Sequence, residues 1–433
     1  MKKTVLILGI AILIIAAVTA TLLFYPYSPN NPPQADDSGF TQQGIEEVIN
    51  ANNQFAFDLY SELNKNGQEN IFYSPYSISA ALAMTYEGAK GKTAEEMKSI
   101  FHFPEDNILR PNFAAMYNSI NKGNKAYQLS TGNALWVQQD YPFLQDYLTT
   151  VEKYYGGKAA NLDFIKETEK SRQTINSFIE EQTNNKIKDL IPEEVLSPLT
   201  RLVLTNAIYF KGTWEWEFDK GDTRNQDFKI TPENIVQVPM MFMEPDKAML
   251  NYADLEKLQI LELPYKGDEI SMLILLPKQG EDYDFETGEV ITSDYTLEDI
   301  ELNSEKLKEL KSQMKETKLD SIYLPKFEFD TKYFMADTLS KMGMPTAFNP
   351  SSADFSEMDG TRNLFISAVI HQAYVKVDEE GTEAAAATAV VVGKTAMPEK
   401  LNIYRADHPF IFIIQQKETG NILFIGRVSD PTK

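Results

Sequence analysis

Ile370 to Pro398, IHQAYVKVDEEGTEAAAATAVVVGKTAMP, is the stretch whose reading decides the fold of this 433-residue chain. Its first part puts His371, Ala373, Val375 and Val377 on one parity, the pattern of a buried strand ending at Asp378 and the acidic pair Glu379 and Glu380. The character then changes. From Gly381 to Val392 the residues are Gly, Thr, Glu, four Ala, Thr, Ala and three Val. An alanine run favours helix, but this one runs into β-branched valines, Gly393 and Pro398, a poor ending for a buried helix. Laid out as a strand, one parity reads Thr382, Ala384, Ala386, Thr388, Val390 and Val392, all small or β-branched. The other parity carries Glu383, the one charge in the stretch, suited to facing solvent. The segment is bland enough to live as an exposed loop and shaped to become a central strand. About eleven residues gaining ladder hydrogen bonds of roughly 0.5–1.5 kcal/mol each would release on the order of 10 kcal/mol, comparable to a domain's whole stability.

Working outward, strand-like runs lie at 202–210, 258–264, 270–277, 366–377, 409–415 and 422–427. Helical stretches concentrate in the first half and around 304–317. Ile45, Val48, Ile49, Ala56, Leu59, Tyr60 and Leu63 recur at helical spacing and predict an amphipathic first helix. Together these make a mixed α+β domain with mostly antiparallel strands. Residues 281–303 hold nine acidic residues and no basic one, and read as a solvated surface excursion.

The N-terminus opens with Lys2 and Lys3, followed by twenty uncharged, mostly apolar residues from Val5 to Phe24. As a helix this run is about 30 Å long, enough to cross a bilayer. Residues 1–24 therefore read as an uncleaved anchor or, with a cut after Ala20, a signal peptide. Asp36 and Asp37 are the first charges beyond it, so both readings place the rest of the chain outside the cytoplasm. Residues 25–43, with Pro26, Pro29, Pro32 and Pro33, read as a stiff tether, and 44–433 as the folded domain.

Composition excludes several function classes. With 63 acidic against 41 basic residues the net charge is −22, which opposes binding to nucleic acid or anionic lipid. There is no cysteine, so disulfides, thiolate metal sites and a cysteine nucleophile are ruled out. His102, His371 and His408 show no metal-ligand spacing, and no cofactor is implied. Gly88 to Thr93 approaches a phosphate-binding loop, but Tyr86 stands where its first glycine belongs. Ser312 to Lys315 matches S-x-x-K in a charged helical run without the partner motifs of penicillin-recognising enzymes. With no G-x-S-x-G elbow either, the chain does not read as an enzyme.

GTEAAAATA at 381–389 strongly resembles the hinge of inhibitory serpins. NIFYSPYSISAAL (70–82), TNAIYFKGTWEWEF (205–218), LPKFEF (324–329), DHPFIFII (407–414) and FIGRVSDP (424–431) resemble further serpin landmarks, in the serpin order. The resemblance covers the chain from residue 44 onward and is to an exported, prokaryotic-type member. It implies three β-sheets, eight or nine helices and a reactive loop exposed over about 379–400. It also implies a monomeric suicide inhibitor of serine or cysteine proteases: cleavage of the loop, capture of the protease as a covalent acyl-enzyme, and insertion of the loop into the main sheet. By position, the resemblance assigns the hinge to Glu379, Glu380, Gly381, Thr382, Glu383, Ala384, Ala385, Ala386 and Ala387. It assigns the region where the loop enters the sheet to Trp214, Lys326 and Glu379, and a polar cluster beneath the parting strands to Ser74, Ser77, Asn206 and His371. Family spacing from Gly381 places the reactive bond at Thr395-Ala396, with Lys394-Thr395 the alternative. The competing readings are a non-inhibitory serpin, acting as a binding or chaperone module, and a membrane-tethered adhesion protein using the acidic 281–303 segment.

Overall fold

Alternating strands and continuous apolar runs sort into three large sheets and a two-stranded hairpin in the computed structural model, which describes residues 34–65, 67, 69–121, 126–131, 133–139, 142–156, 159–245, 248–283, 290–382 and 401–433. Residues 1–33 and 383–400 lie outside this set, and with them the apolar segment and most of the loop.

The main sheet has seven strands. Along it run β15 (Phe327–Phe334), β16 (Ile366–Asp378), β17 (Gly381–Thr382), β5 (Leu202–Thr213), β3 (Ala134–Gln138) and β4 (Ala159–Leu162), with β2 (Tyr127–Thr131) also pairing to β5. A second seven-stranded sheet runs β1 (Ile71–Tyr73), β20 (Ile422–Val428), β19 (Phe410–Gln416), β10 (Ile270–Pro277), β9 (Leu258–Pro264), β8 (Leu250–Asp254) and β13 (Lys315–Thr317). A third, of four strands, runs β18 (Ile403–Arg405), β14 (Ser321–Pro325), β7 (Asn234–Met243) and β6 (Arg224–Thr231). Pairing is antiparallel except for β14 with β18, β16 with β5, and β3 with β4.

Two expectations need correction. The acidic excursion is not plain loop: β11 (Gln279–Tyr283) and β12 (Val290–Asp294) pair as a separate hairpin, which alternation diluted by acidic residues had hidden. The helical stretch at 304–317 ends at Ser312, because Lys315 to Thr317 is drawn into β13 by pairing with β8.

Nine α-helices lie among the described residues. These are α1 (Gln42–Asn64), α2 (Pro75–Tyr86), α3 (Gly91–Ile100), α4 (Asp106–Asn121), α5 (Gln145–Tyr155), α6 (Thr168–Gln182), α7 (Ser304–Ser312), α8 (Met335–Met342) and the single turn α9 (Ser356–Asp359). α1 buries the stripe read from the sequence, including Val48, Ile49, Ala56, Leu59 and Tyr60. α2 is buried at every position, as its lack of a polar face requires. Pro75 begins it, and the Ser74 hydroxyl accepts from Ser77 N. On the opposite face of the main sheet, Ile175, Phe178 and Ile179 of α6 pack with Trp136, Val203, Ala207 and Ile370. Two stacked aromatic pairs, Phe72 with Phe424 at 5.2 Å and Phe72 with Phe412 at 5.6 Å, tie β1 to β20 and β19. Among the described residues no helix is long and apolar enough to cross a membrane.

Candidate functional site

The main sheet is closed below and split above. β5 and β16 pair in parallel from Leu202 with Ile366 up to Tyr209 with Tyr374. Beyond that rung they diverge, and β17 occupies the gap, antiparallel to both neighbours. Gly381 faces Thr213 and Asp378, while Thr382 faces Gly212 and Val377. The chain reverses at Glu379 and Glu380, and only glycine suits the next position. Gly381 has φ +145°, and a Cβ there would lie 2.1 Å from the Gly212 carbonyl oxygen.

Thr382 is 2% exposed, and its Oγ1 lies 2.8 Å from the hydroxyl of Tyr265. Tyr265 stacks on Trp214 with ring centres 4.5 Å apart. Trp214 in turn grips the turn: its Nε1 donates to Asp378 O at 3.1 Å and its backbone N to Glu380 O at 2.9 Å. Phe218 N donates to Glu379 O at 2.8 Å. Burial alone would push the Glu379 carboxyl up, but hydrogen bonds from Lys326 Nζ (2.8 Å) and Thr223 Oγ1 (2.7 Å) prevail and hold it below the usual range. Glu380 pairs with Lys220, and burial pushes the neighbouring Asp378 carboxyl up.

Trp214, Lys326 and Glu379 are thus brought together around the turn. The expectation of a loop exposed from residue 379 is corrected: Glu379, Glu380, Gly381 and Thr382 are all buried, because strand pairing and these contacts draw the first hinge residues into the sheet. Glu383, Ala384, Ala385, Ala386 and Ala387, with Lys394, Thr395 and Ala396, lie outside the described residues. Sequence reading missed Tyr265, Thr223 and Lys220, which sit in no motif and reach the turn only through strand register.

Lower in the same sheet, Ser74, Ser77, Asn206 and His371 form one buried cluster, each at most 1% exposed. Ser74 N donates to His371 Nε2 at 3.1 Å, so the ring proton sits on Nδ1 and is donated to Asn206 Oδ1. Asn206 Nδ2 donates to Ser77 Oγ and to Asn133 Oδ1, both at 2.8 Å, and Ser77 Oγ donates to Asn133 Oδ1 at 2.8 Å. Asn133, beside β3, is the member that no sequence signal marked.

Burial pushes the His371 imidazole down to about 3 from its ordinary 6.5. Above pH 6.5 the ring is neutral whether the chain is folded or not. As pH falls below 6.5 the unfolded chain takes up a proton that the folded chain refuses. Stability is therefore expected to drop by about 1.4 kcal/mol per pH unit from this group alone. Urea unfolding at pH 7.0 and pH 5.0 checks it: His371→Gln should lose about 2 kcal/mol less than wild type over that interval. Equal losses would show that His371 does not control this window.

Among the described residues no group of three or more His, Asp or Glu side chains is placed to hold a metal ion. What the arrangement offers is mechanical: a sheet closed by one polar rung and opened above by two inserted residues.

A family model described as Serpin (serine protease inhibitor) matches residues 50–431. A serpin-like protein of Methanosarcina mazei is 43% identical over 392 residues, covering 89% of this chain and 88% of that protein. Human leukocyte elastase inhibitor is 40% identical over 395 residues, covering 89% of this chain and all of that protein. The solved structure of uncleaved ovalbumin matches with a TM-score of 0.74 at 32% identity, over 88% of this chain and all of that one.

Proposed function

Because the chain belongs to the serpin family, a family of serine protease inhibitors, we propose that it is a suicide inhibitor that traps its target by inserting a cleaved loop into the main sheet. The observation that carries this reading is β17: the loop's first two residues already form an antiparallel strand between β5 and β16.

In this reading the target's serine attacks the Thr395 carbonyl, the bond to Ala396 breaks, and the amine leaves with a proton. The protease stays attached as an ester. The freed loop then extends β17 downward. Carrying its register onward pairs position 388 with Asn206 and His371, the polar rung, and position 392 with Leu202 at the foot of β5. Thr388 thus brings a hydroxyl where the Asn206–His371 bond must part, and Val390 and Val392 bring β-branched side chains to the strand below. Trp214, Lys326 and Glu379 hold the starting turn, so insertion proceeds from a set register.

The test is incubation with a panel of serine proteases and denaturing electrophoresis. A denaturant-resistant band near the sum of the two masses is expected, and mass spectrometry should find the released peptide beginning at Ala396. A peptide beginning at Thr395 would move the reactive bond to Lys394-Thr395 and point to trypsin-like targets. Cleavage by every protease without any such band would overturn inhibition in favour of a non-inhibitory binding role.

The reading includes a monomer working outside the cytoplasm, carried by the apolar run after Lys2 and Lys3. Full-length protein is expected in the membrane fraction, and a variant beginning at residue 42 in the soluble one, still inhibitory. A mature N-terminus at Thr21 would replace the anchor by secretion.

A further inference from the structure

Trp216 has no part in gripping the hinge, yet it is held rigidly beside it. Along Trp214-Glu215-Trp216-Glu217-Phe218 the two ends are buried and the middle is not: Trp214 and Phe218 are 1% and 4% exposed, whereas Trp216 is 38% exposed between two exposed carboxylates. The backbone beneath cannot shift freely, because Trp214 N and Phe218 N are bonded to Glu380 O and Glu379 O, and Glu215 N to Pro264 O at 2.9 Å. A large aromatic presented on a fixed backbone loses little freedom on binding, the property that makes tryptophan prominent among interface anchors.

The surroundings carry one sign of charge. Residues 215–222, EWEFDKGD, contain four carboxylates and one lysine. That lysine, Lys220, is paired with Glu380, and Lys266 is paired with Glu217 at 2.7 Å. Glu215, exposed next to the indole, has no ion-pair partner among the described residues. An indole face flanked by carboxylates suits a guanidinium or ammonium group, through cation–π contact and a charge-assisted hydrogen bond.

We infer that Trp216 and Glu215 form a second docking surface for the target protease, one that selects proteases bearing arginine or lysine on the rim that closes over the root of the loop. This rests on the reading that a protease docks on the loop, and it adds a surface independent of the reactive bond. The net charge of −22 acts in the same direction, speeding encounter with a cationic partner.

The test separates docking from trapping by measuring the second-order rate at which the wild-type loop is cleaved, with trapped and released products counted together. The probes are two proteases of small-residue preference that cleave the loop, a cationic elastase and an anionic subtilisin. Against the cationic enzyme at low salt, Trp216→Ala is expected to slow cleavage about fivefold and Glu215→Lys about tenfold. The Glu215→Lys loss should shrink to about twofold near 0.5 M salt, since screening removes long-range charge effects. Against the anionic enzyme Trp216→Ala should change the rate by less than about twofold, and Glu215→Lys should not slow it. Equal losses with both enzymes, or none with the cationic one, overturn the inference whatever the outcome for complex formation. Neither substitution should change the number of inhibitor molecules consumed per protease trapped. A rise there would mean that these residues support the hinge instead.

Discussion

Thr382→Arg is expected to convert the inhibitor into a substrate, cleaved and released with almost no covalent complex. Thr382 is the first inward-facing residue after Gly381; it lies 2% exposed between Gly212 and Val377, with Tyr265 as its hydrogen-bond partner. An arginine there would bury an unpaired charge at a cost of several kcal/mol, so β17 should be expelled. In the proposed mechanism, trapping is a race between insertion and hydrolysis of the acyl-enzyme. Each 1.4 kcal/mol added to the insertion barrier slows it about tenfold, so several kcal/mol should shift the ratio of insertion to hydrolysis by more than about a hundredfold toward hydrolysis. The uncleaved protein should register the change too, losing roughly 1–3 kcal/mol with the strand pairing and the Tyr265 bond. Gel quantification of complex against cleaved product checks the claim. A wild-type yield of stable complex from Thr382→Arg would sink loop insertion through this hinge.

Cleavage of the wild-type loop should raise the melting temperature by on the order of 20 °C. In the proposed mechanism β5 and β16 part down to Leu202, and residues 383–392 follow β17 into the slot so opened. Ladder bonds of roughly 0.5–1.5 kcal/mol for each added residue sum to on the order of 10 kcal/mol, and each kcal/mol shifts the midpoint of a domain this large by about 2 °C. The intact protein cannot collect this energy, because its loop is tethered at both ends, to β17 and to β18. Scanning calorimetry before and after a non-target protease nicks the loop measures the difference. Cleaved Thr382→Arg should gain far less. A cleaved wild type that melts with the intact protein would remove the energetic basis of trapping.

The amino-acid sequence by itself determined what local pattern can carry. The stripe from Ile45 to Leu63 became α1, the apolar runs at 258–264 and 270–277 became β9 and β10, and the parity of Thr382 placed its side chain inward. Periodicity reports which face of an element is apolar, and these elements bury the face it marked. The serpin landmarks likewise pointed to residues that meet in space, with Trp214, Lys326 and Glu379 at the turn and Ser74, Ser77, Asn206 and His371 in the buried cluster. Only the tertiary structure decided who the neighbours are. Asn133 completes that cluster through the pairing of β3 with β5, and Tyr265 meets Thr382 across 117 positions of sequence. Lys315 to Thr317 left the helical pattern for β13 because β8 offered an edge. Glu379 to Thr382 are buried for the same reason: the divergence of β5 from β16 above Tyr209 and Tyr374 leaves a gap as wide as one strand. Register and gap are properties of strands distant in sequence, set by hydrogen bonding and packing between them, and no local pattern encodes them.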